Sequence, residues 1–183
     1  MVDRETAPGA LGLIQAFVNT ADLDPGVETL SDAAALSGWL VARGLMPPDQ
    51  RAGEADLKHA LAVREAIRGA IGGNSGGSIY PVDVATLNGA VSAGRLVPRF
   101  GPSGKARLEA HAEGVEGALG RIVAALFTAM NEEDWTRLKL CDSSSCRWAF
   151  YDHSRNHSSR WCKMASCGNR EKAKRFRERA KTS

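Results

Sequence analysis

Four cysteines, Cys141, Cys146, Cys162 and Cys167, fall within 27 residues of a 183-residue chain as two Cys-x4-Cys pairs, with fifteen residues between the pairs. Zinc prefers four tetrahedral ligands at about 2.3 Å for thiolate sulfur, and paired short loops can wrap a chain around such an ion. A segment this short buries too little apolar surface to fold unaided, so metal binding would supply much of its stability. Four thiolates leave no open position for a reactive water. One structural Zn2+ is therefore expected, and zinc hydrolysis is not. Two alternatives stand beside this reading. The cysteines could form two local disulfides in an oxidising compartment, or His153 or His157 could replace one of them as a ligand. Residues 1–10 carry Asp3, Arg4 and Glu5 and no apolar core, which argues against export and for reduced thiols in a cytoplasm.

Around the cysteines the composition changes. Trp148, Phe150, Tyr151, Trp161 and Phe176 are five of the eleven aromatic residues, enough to build a small core about a metal; base stacking is the other use for them. Asn169 can cap a terminal helix that docks through Ala173, Phe176 and Ala180, leaving Lys172, Lys174, Arg175, Arg177, Arg179 and Lys181 on its other faces. From Lys139 to Ser183, twelve Lys/Arg stand against four Asp/Glu (+8), whereas residues 1–138 hold twelve against seventeen (−5). An acidic body joined to a basic tail is the charge pattern of a protein whose one end meets a polyanion, although a solvated basic helix would show it too. The expected nucleic-acid contacts are Arg155, Arg160, Lys163, Arg170, Lys172, Lys174, Arg175, Arg177 and Arg179. Asp152 and Arg160 are expected to form an ion pair bracing the loop between the cysteine pairs.

The body that must position this module reads as helices. Leu13, Ile14, Phe17 and Val18 share a helical face, and Asn19 to Asp22 close that helix before Pro25-Gly26. Ser31 can cap a second helix with Leu36, Trp39 and Leu40 inward and Gly44 at its end. Residues 54–71 place Leu57, Ala60, Val63, Ile67 and Ile71 on one stripe, ended by the glycine-rich connector 72–77. Pro81 suits the first turn of a fourth helix burying Val84, Leu87 and Val91. Leu96–Phe100 and Ala106–His111 alternate in polarity around Gly101–Gly104 and predict a β-hairpin, with Pro98 on an edge strand. That turn is a better reading of residues 101–105 than a phosphate loop. A long helix with Val115, Leu119, Ile122, Leu126 and Met130 inward follows. Arg64 and Arg68, one helical turn apart, could grip an anion and, with Asn19, line an effector pocket; two separately paired arginines are the plainer reading.

At Cys167-Gly168-Asn169-Arg170 the chain meets a recognisable string. Leu140 to Arg179 resembles the CGNR zinc finger, a bacterial module named for those four residues. Trp148, Phe150, Asp152, Arg160, Trp161-Cys162 and Met164 fall where that pattern places similar residues. The region holding Phe17-Val18-Asn19-Thr20 and Trp39-Leu40 is similar to the ABATE domain, associated with stress-induced transcription regulation. The resemblance implies a bacterial regulator whose finger contacts DNA, with the four cysteines as zinc ligands.

The expectation is thus an α+β, mostly α fold: a helical domain with a small β-hairpin over residues 1–138, for sensing or dimerisation, then a zinc module with a basic terminal helix over 139–183. Its expected function is zinc-dependent DNA binding, with a protein-interaction adaptor or RNA binder as the alternative. No Ser-His-Asp arrangement, paired-histidine motif or nucleotide loop points to an enzyme. No apolar run approaches the ~20 residues that span a bilayer. The expected location is the cytoplasm, on the nucleoid when DNA is bound, with room left for a small-molecule effector and a homodimer.

Overall fold

A computed structural model describes residues 6–182, the side chains of residues 181 and 182 excepted. The Lys181 side chain and the charged residues at positions 3–5 therefore lie outside the described residues. The elements run α1 (Gly9–Val18), β1 (Ala21–Asp22), β2 (Val27–Glu28), α2 (Ala33–Ala42), α3 (Glu54–Gly73), α4 (Pro81–Ala93), β3 (Leu96–Phe100), β4 (Ala106–Ala110), α5 (Gly114–Met130), a 3-10 turn (Glu133–Arg137), β5 (Leu138–Leu140), β6 (Ala149–Tyr151), a π turn (Met164–Gly168) and α6 (Asn169–Thr182). Helix accounts for about 53% of the chain, and the strands form three separate antiparallel pairs, so the fold is α+β with α dominant.

The apolar stripes set the core. α3 buries Leu57, Ala60, Val63, Ile67 and Ile71 against α1, α4 and α5, which is the stripe its sequence shows. α1 contributes Leu11, Ile14, Phe17 and Val18; α5 contributes Val115, Leu119, Ile122 and Leu126. Local chemistry fixes the helix starts. Asp32, one residue after the expected Ser31, caps α2 by accepting the Ala35 N–H at 2.7 Å. At α3 the Asp56 carboxylate reaches back to the Gly53 N–H at 2.7 Å.

Two helices depart from expectation. In α4 Val84 is exposed, Leu87 and Val91 are half-buried, and Ala90 alone is fully buried; Met130 at the end of α5 is exposed. At its C-terminal end α4 approaches α5 so closely that a Cβ on Gly94 would sit 2.7 Å from the Gly120 Cα. Small residues make that contact, and the larger ones fall outside it. The hairpin forms as expected, its second strand ending at Ala110 rather than His111, in the register Leu96↔Ala110 to Phe100↔Ala106, closed by the Gly101 N–H donating to the Lys105 carbonyl at 2.8 Å.

Body and finger share one core. Leu138 and Leu140 of β5 and Ala149 of β6 belong to the buried cluster built by α1, α3 and α5. A second, smaller cluster joins Cys141, Cys146 and Cys167 with Trp148 and Trp161.

Candidate metal centre

The first cysteine pair grows out of the β5–β6 ladder. Past Leu140 the Cys141 N–H donates to the Trp148 carbonyl at 2.8 Å, and the N–H groups of Cys146 and Arg147 donate to the Ser143 carbonyl at 3.0 and 3.1 Å. This tight turn puts Arg147 in the left-handed region at φ 43°. Its buried Ser143 hydroxyl donates to Glu171 of α6 at 3.1 Å, tying the first loop to the last helix. Of the second pair, Cys162 precedes the π turn and Cys167 lies within it, and the end of that turn runs directly into α6.

The four sulfur atoms lie within 4.8 Å of one another, with Cys146–Cys162 at 3.7 Å and Cys162–Cys167 at 3.8 Å. A tetrahedral ion with 2.3 Å bonds requires a sulfur–sulfur separation of about 3.8 Å, whereas a disulfide requires about 2.0 Å. All four thiols are free. The set fits one structural Zn2+. Neither histidine joins it: His153 packs edge-on against Tyr151 at 4.7 Å, and His157 is exposed in the loop. Hydrogen bonding within the cluster lowers the pKa of Cys141, which accepts from Cys146 and Cys162, and raises those of Cys146 and Cys162. Several thiols thus stay protonated until a dication displaces the protons.

Each residue of the Cys-Gly-Asn-Arg string has a local task. Cys167 is a ligand. A Cβ on Gly168 would meet the Met164 sulfur at 2.5 Å and the Trp161 ring at 3.4 Å. Asn169 does not cap α6; it is already helical, and its side-chain amide donates to the Ala165 carbonyl at 3.3 Å, because the π turn leads into the helix without a break. Arg170 donates to the Cys167 sulfur at 3.3 Å and makes two bonds, 2.9 and 2.7 Å, to Asp24 in the β1–β2 turn. These bonds, those to the Asp24 carboxylate above all, stabilise the Arg170 charge, so its pKa is raised.

Asp152 and Arg160 do not pair. Asp152 is buried and accepts from the Lys139 ammonium at 2.8 Å and from the N–H groups of Ser154 and Ser159 at 2.9 and 3.0 Å. Burial opposes its charge, but Lys139 and these donors outweigh burial and hold the carboxyl well below the usual carboxylate range. Arg160 pairs instead with Asp142 and lies over the Trp161 ring. Each finds its partner outside the loop, Lys139 for Asp152 and Asp142 for Arg160, which sequence spacing could not reveal.

The three residues expected to line an effector pocket spend their hydrogen bonds on the protein. Asn19 bonds both ways with Ala149 of β6, donating at 2.8 Å and accepting at 2.9 Å. Buried Arg64 contacts Thr20, Glu28 and Glu65. Buried Arg68 donates to Glu65, to the Val18 carbonyl at 2.7 Å and to the Arg147 carbonyl at 3.0 Å. Burial works against both guanidinium charges; the glutamates outweigh it at Arg64, raising its pKa, and do not at Arg68, whose pKa is lowered. They form a seam between α1, α3 and the finger. Asp24 and Lys139, both central here, carried no sequence signal, since their partners stand 146 and 13 residues away.

Among the expected nucleic-acid contacts, Arg155 and Lys163 are exposed, as is α6 from Lys172 to Ala180. Phe176 is 75% exposed and docks nothing; Trp148 and Trp161, with Cys162, make the metal-side core instead. α6 touches the finger mainly through the π turn at its start.

Comparison with known families now bears on the whole chain. Residues 11–132 match the model of the ABATE domain, described as "Putative stress-induced transcription regulator". The chain belongs to the ABATE family. Residues 137–180 match the CGNR zinc finger, so the ABATE domain is followed directly by the metal module. Those matches are to a regulator and a zinc finger, not to enzyme families. No curated protein gives a significant match. Among the described residues, no helix is long and apolar enough to cross a membrane.

Proposed function

We propose that this ABATE–CGNR protein is a zinc-dependent DNA-binding regulator whose contact element is α6. The observation that carries this reading is a cationic helix that is tied down only in its first turn and exposed at every residue from Lys172 to Ala180. A 14-residue helix spans about 21 Å and is marginal in water without tertiary support, the more so with like charges along it. Lys172, Lys174 and Arg175 have no described partner, and Arg177 bonds only to its own helix. Phosphate contacts would relieve that repulsion and release counterions. Zinc fixes the start of this helix, and Arg155 and Lys163 extend the basic surface around it. The ABATE domain, joined to the finger through a shared core, is the part suited to sensing.

The test is fluorescence anisotropy with mixed-sequence duplex DNA across a salt series. The zinc-loaded protein is expected to bind with a log–log salt slope of about −0.9 per phosphate neutralised, and Lys172→Glu/Arg175→Glu to lose at least tenfold in affinity with a shallower slope. Deleting residues 139–183 is a poor control, because it strips Leu140 and Ala149 from the core of the body. Salt-independent binding, or full affinity in the charge-reversal variant, would refute the reading. Preferential retention of an acidic protein in competition with DNA would favour an adaptor.

A further inference from the structure

Between the finger's central loop and the α3–α4 connector lies a cavity of about 370 Å³, separate from the exposed face of α6. Its lining is rich in hydrogen-bond donors and poor in acceptors. Lys139, nine-tenths buried, gives protons to Asp152 and to the His157 carbonyl, and an ammonium has a third. The hydroxyls of Ser75 and Ser158 have no described partner. Arg160 has five N–H donors and spends its side-chain hydrogen bonding on Asp142 alone. Asp142 is the one acidic side chain among the described lining residues.

Two further features suggest a built site. His157, whose carbonyl accepts from Lys139, holds φ 49°, a left-handed conformation that costs a non-glycine residue energy and clusters at ligand sites. The Arg160–Asp142 pair is about half exposed on both sides, and such pairs are weak enough in water for the guanidinium to exchange its partner. Converging ammonium, guanidinium and hydroxyl donors match the oxygens of a tetrahedral oxyanion, with charge-assisted bonds from the first two.

We propose that this cavity binds a phosphate group, held by Lys139, Arg160 and Ser158. The phosphate belongs either to a small phosphorylated ligand or to the backbone of a bound nucleic acid; the recognition chemistry is the same. Because the cavity joins the α3–α4 connector to the finger loop, occupancy braces the finger against the body.

The experiment uses the 15N-labelled, zinc-loaded full chain titrated with inorganic phosphate against chloride at matched ionic strength. Saturable amide shifts centred on Ser75 and on residues 157–160 are expected in the millimolar range, with affinity reduced at least roughly tenfold in Arg160→Gln. Lys139→Met is a second variant, read only where zinc content stays stoichiometric. Absence of saturation at about 50 mM phosphate, or unchanged affinity in Arg160→Gln, overturns the site. Duplex DNA that displaces phosphate from the same amides assigns the site to the nucleic-acid backbone. DNA that leaves them in place assigns it to a small phosphate ester, and either result upholds it. Failure of the α6 charge-reversal test leaves this titration unaffected, so the two readings fail separately.

Discussion

Removing Asp152 tests the centre of the finger loop. The Asp152→Ala substitution leaves the Lys139 ammonium buried without a counterion and frees the N–H groups of Ser154 and Ser159. Breaking a buried pair from one side costs about 3–5 kcal/mol. Lys139 keeps the His157 carbonyl, and Ser154 and Ser159 are half-buried rather than sealed, which places the cost near the lower end, about 3 kcal/mol. Folding of the loop and zinc binding are coupled, so the loss is read as metal affinity: about 100-fold weaker zinc binding in competition with a chromophoric chelator. The double variant Asp152→Ala/Lys139→Met removes both charges and should recover much of that loss. The pH dependence has a definite sign. The folded carboxyl titrates below its unfolded value of about 3.9, so its contribution is complete above that pH and declines as pH falls toward the folded value. A change of less than about threefold in zinc affinity for Asp152→Ala at neutral pH, with no change in unfolding midpoint, would refute the argument.

Two other outcomes are expected. Zinc affinity should rise with pH through the neutral range, since Cys146 and Cys162 hold their protons above the ordinary thiol value and must release them on binding; these two protons alone correspond to at least about a hundredfold per pH unit, measured by chelator competition from pH 6 to 8. A flat profile there would mean that the thiols are already ionised. Gly94→Ala should lower stability by about 2 kcal/mol and the melting temperature by about 4–8 °C, because its Cβ meets the Gly120 backbone rather than a movable side chain. An unchanged melting temperature in differential scanning calorimetry would show that α4 and α5 separate freely.

The sequence was most informative where structure is local. Cysteine spacing placed the metal ligands, since two short loops bring each pair together. Alternation and turn chemistry placed the hairpin, and the α3 stripe placed its buried face. Periodicity says which face of a helix is apolar, not what that face meets. Thus Phe176 looked like an anchor yet stays in solvent, and Val84 lies beyond the close α4–α5 contact. The charged residues were the least legible. Arg68 reaches a carbonyl 79 residues away and Arg170 a carboxylate 146 residues away, and nothing local marks either partner.

Those distant bonds determine how the two parts can work together. Arg68 joins the end of α1 to the first finger loop through two carbonyls, Asn19 pairs with Ala149 almost as a further strand would, and Asn74 donates to the carbonyls of Trp135 and Leu138. With Leu138, Leu140 and Ala149 in the body's core, the passage from ABATE domain to finger is packed structure rather than a linker. A hinge there would have to expose apolar surface and leave buried polar groups unpaired, each costing about 1–3 kcal/mol. Rearrangement of α1 or α3 would therefore act directly on the loops that hold Cys141 and Cys146. In this architecture any rearrangement of the body would change the geometry or metal affinity of the finger, and through it the anchoring of α6, rather than the distance between two independent domains.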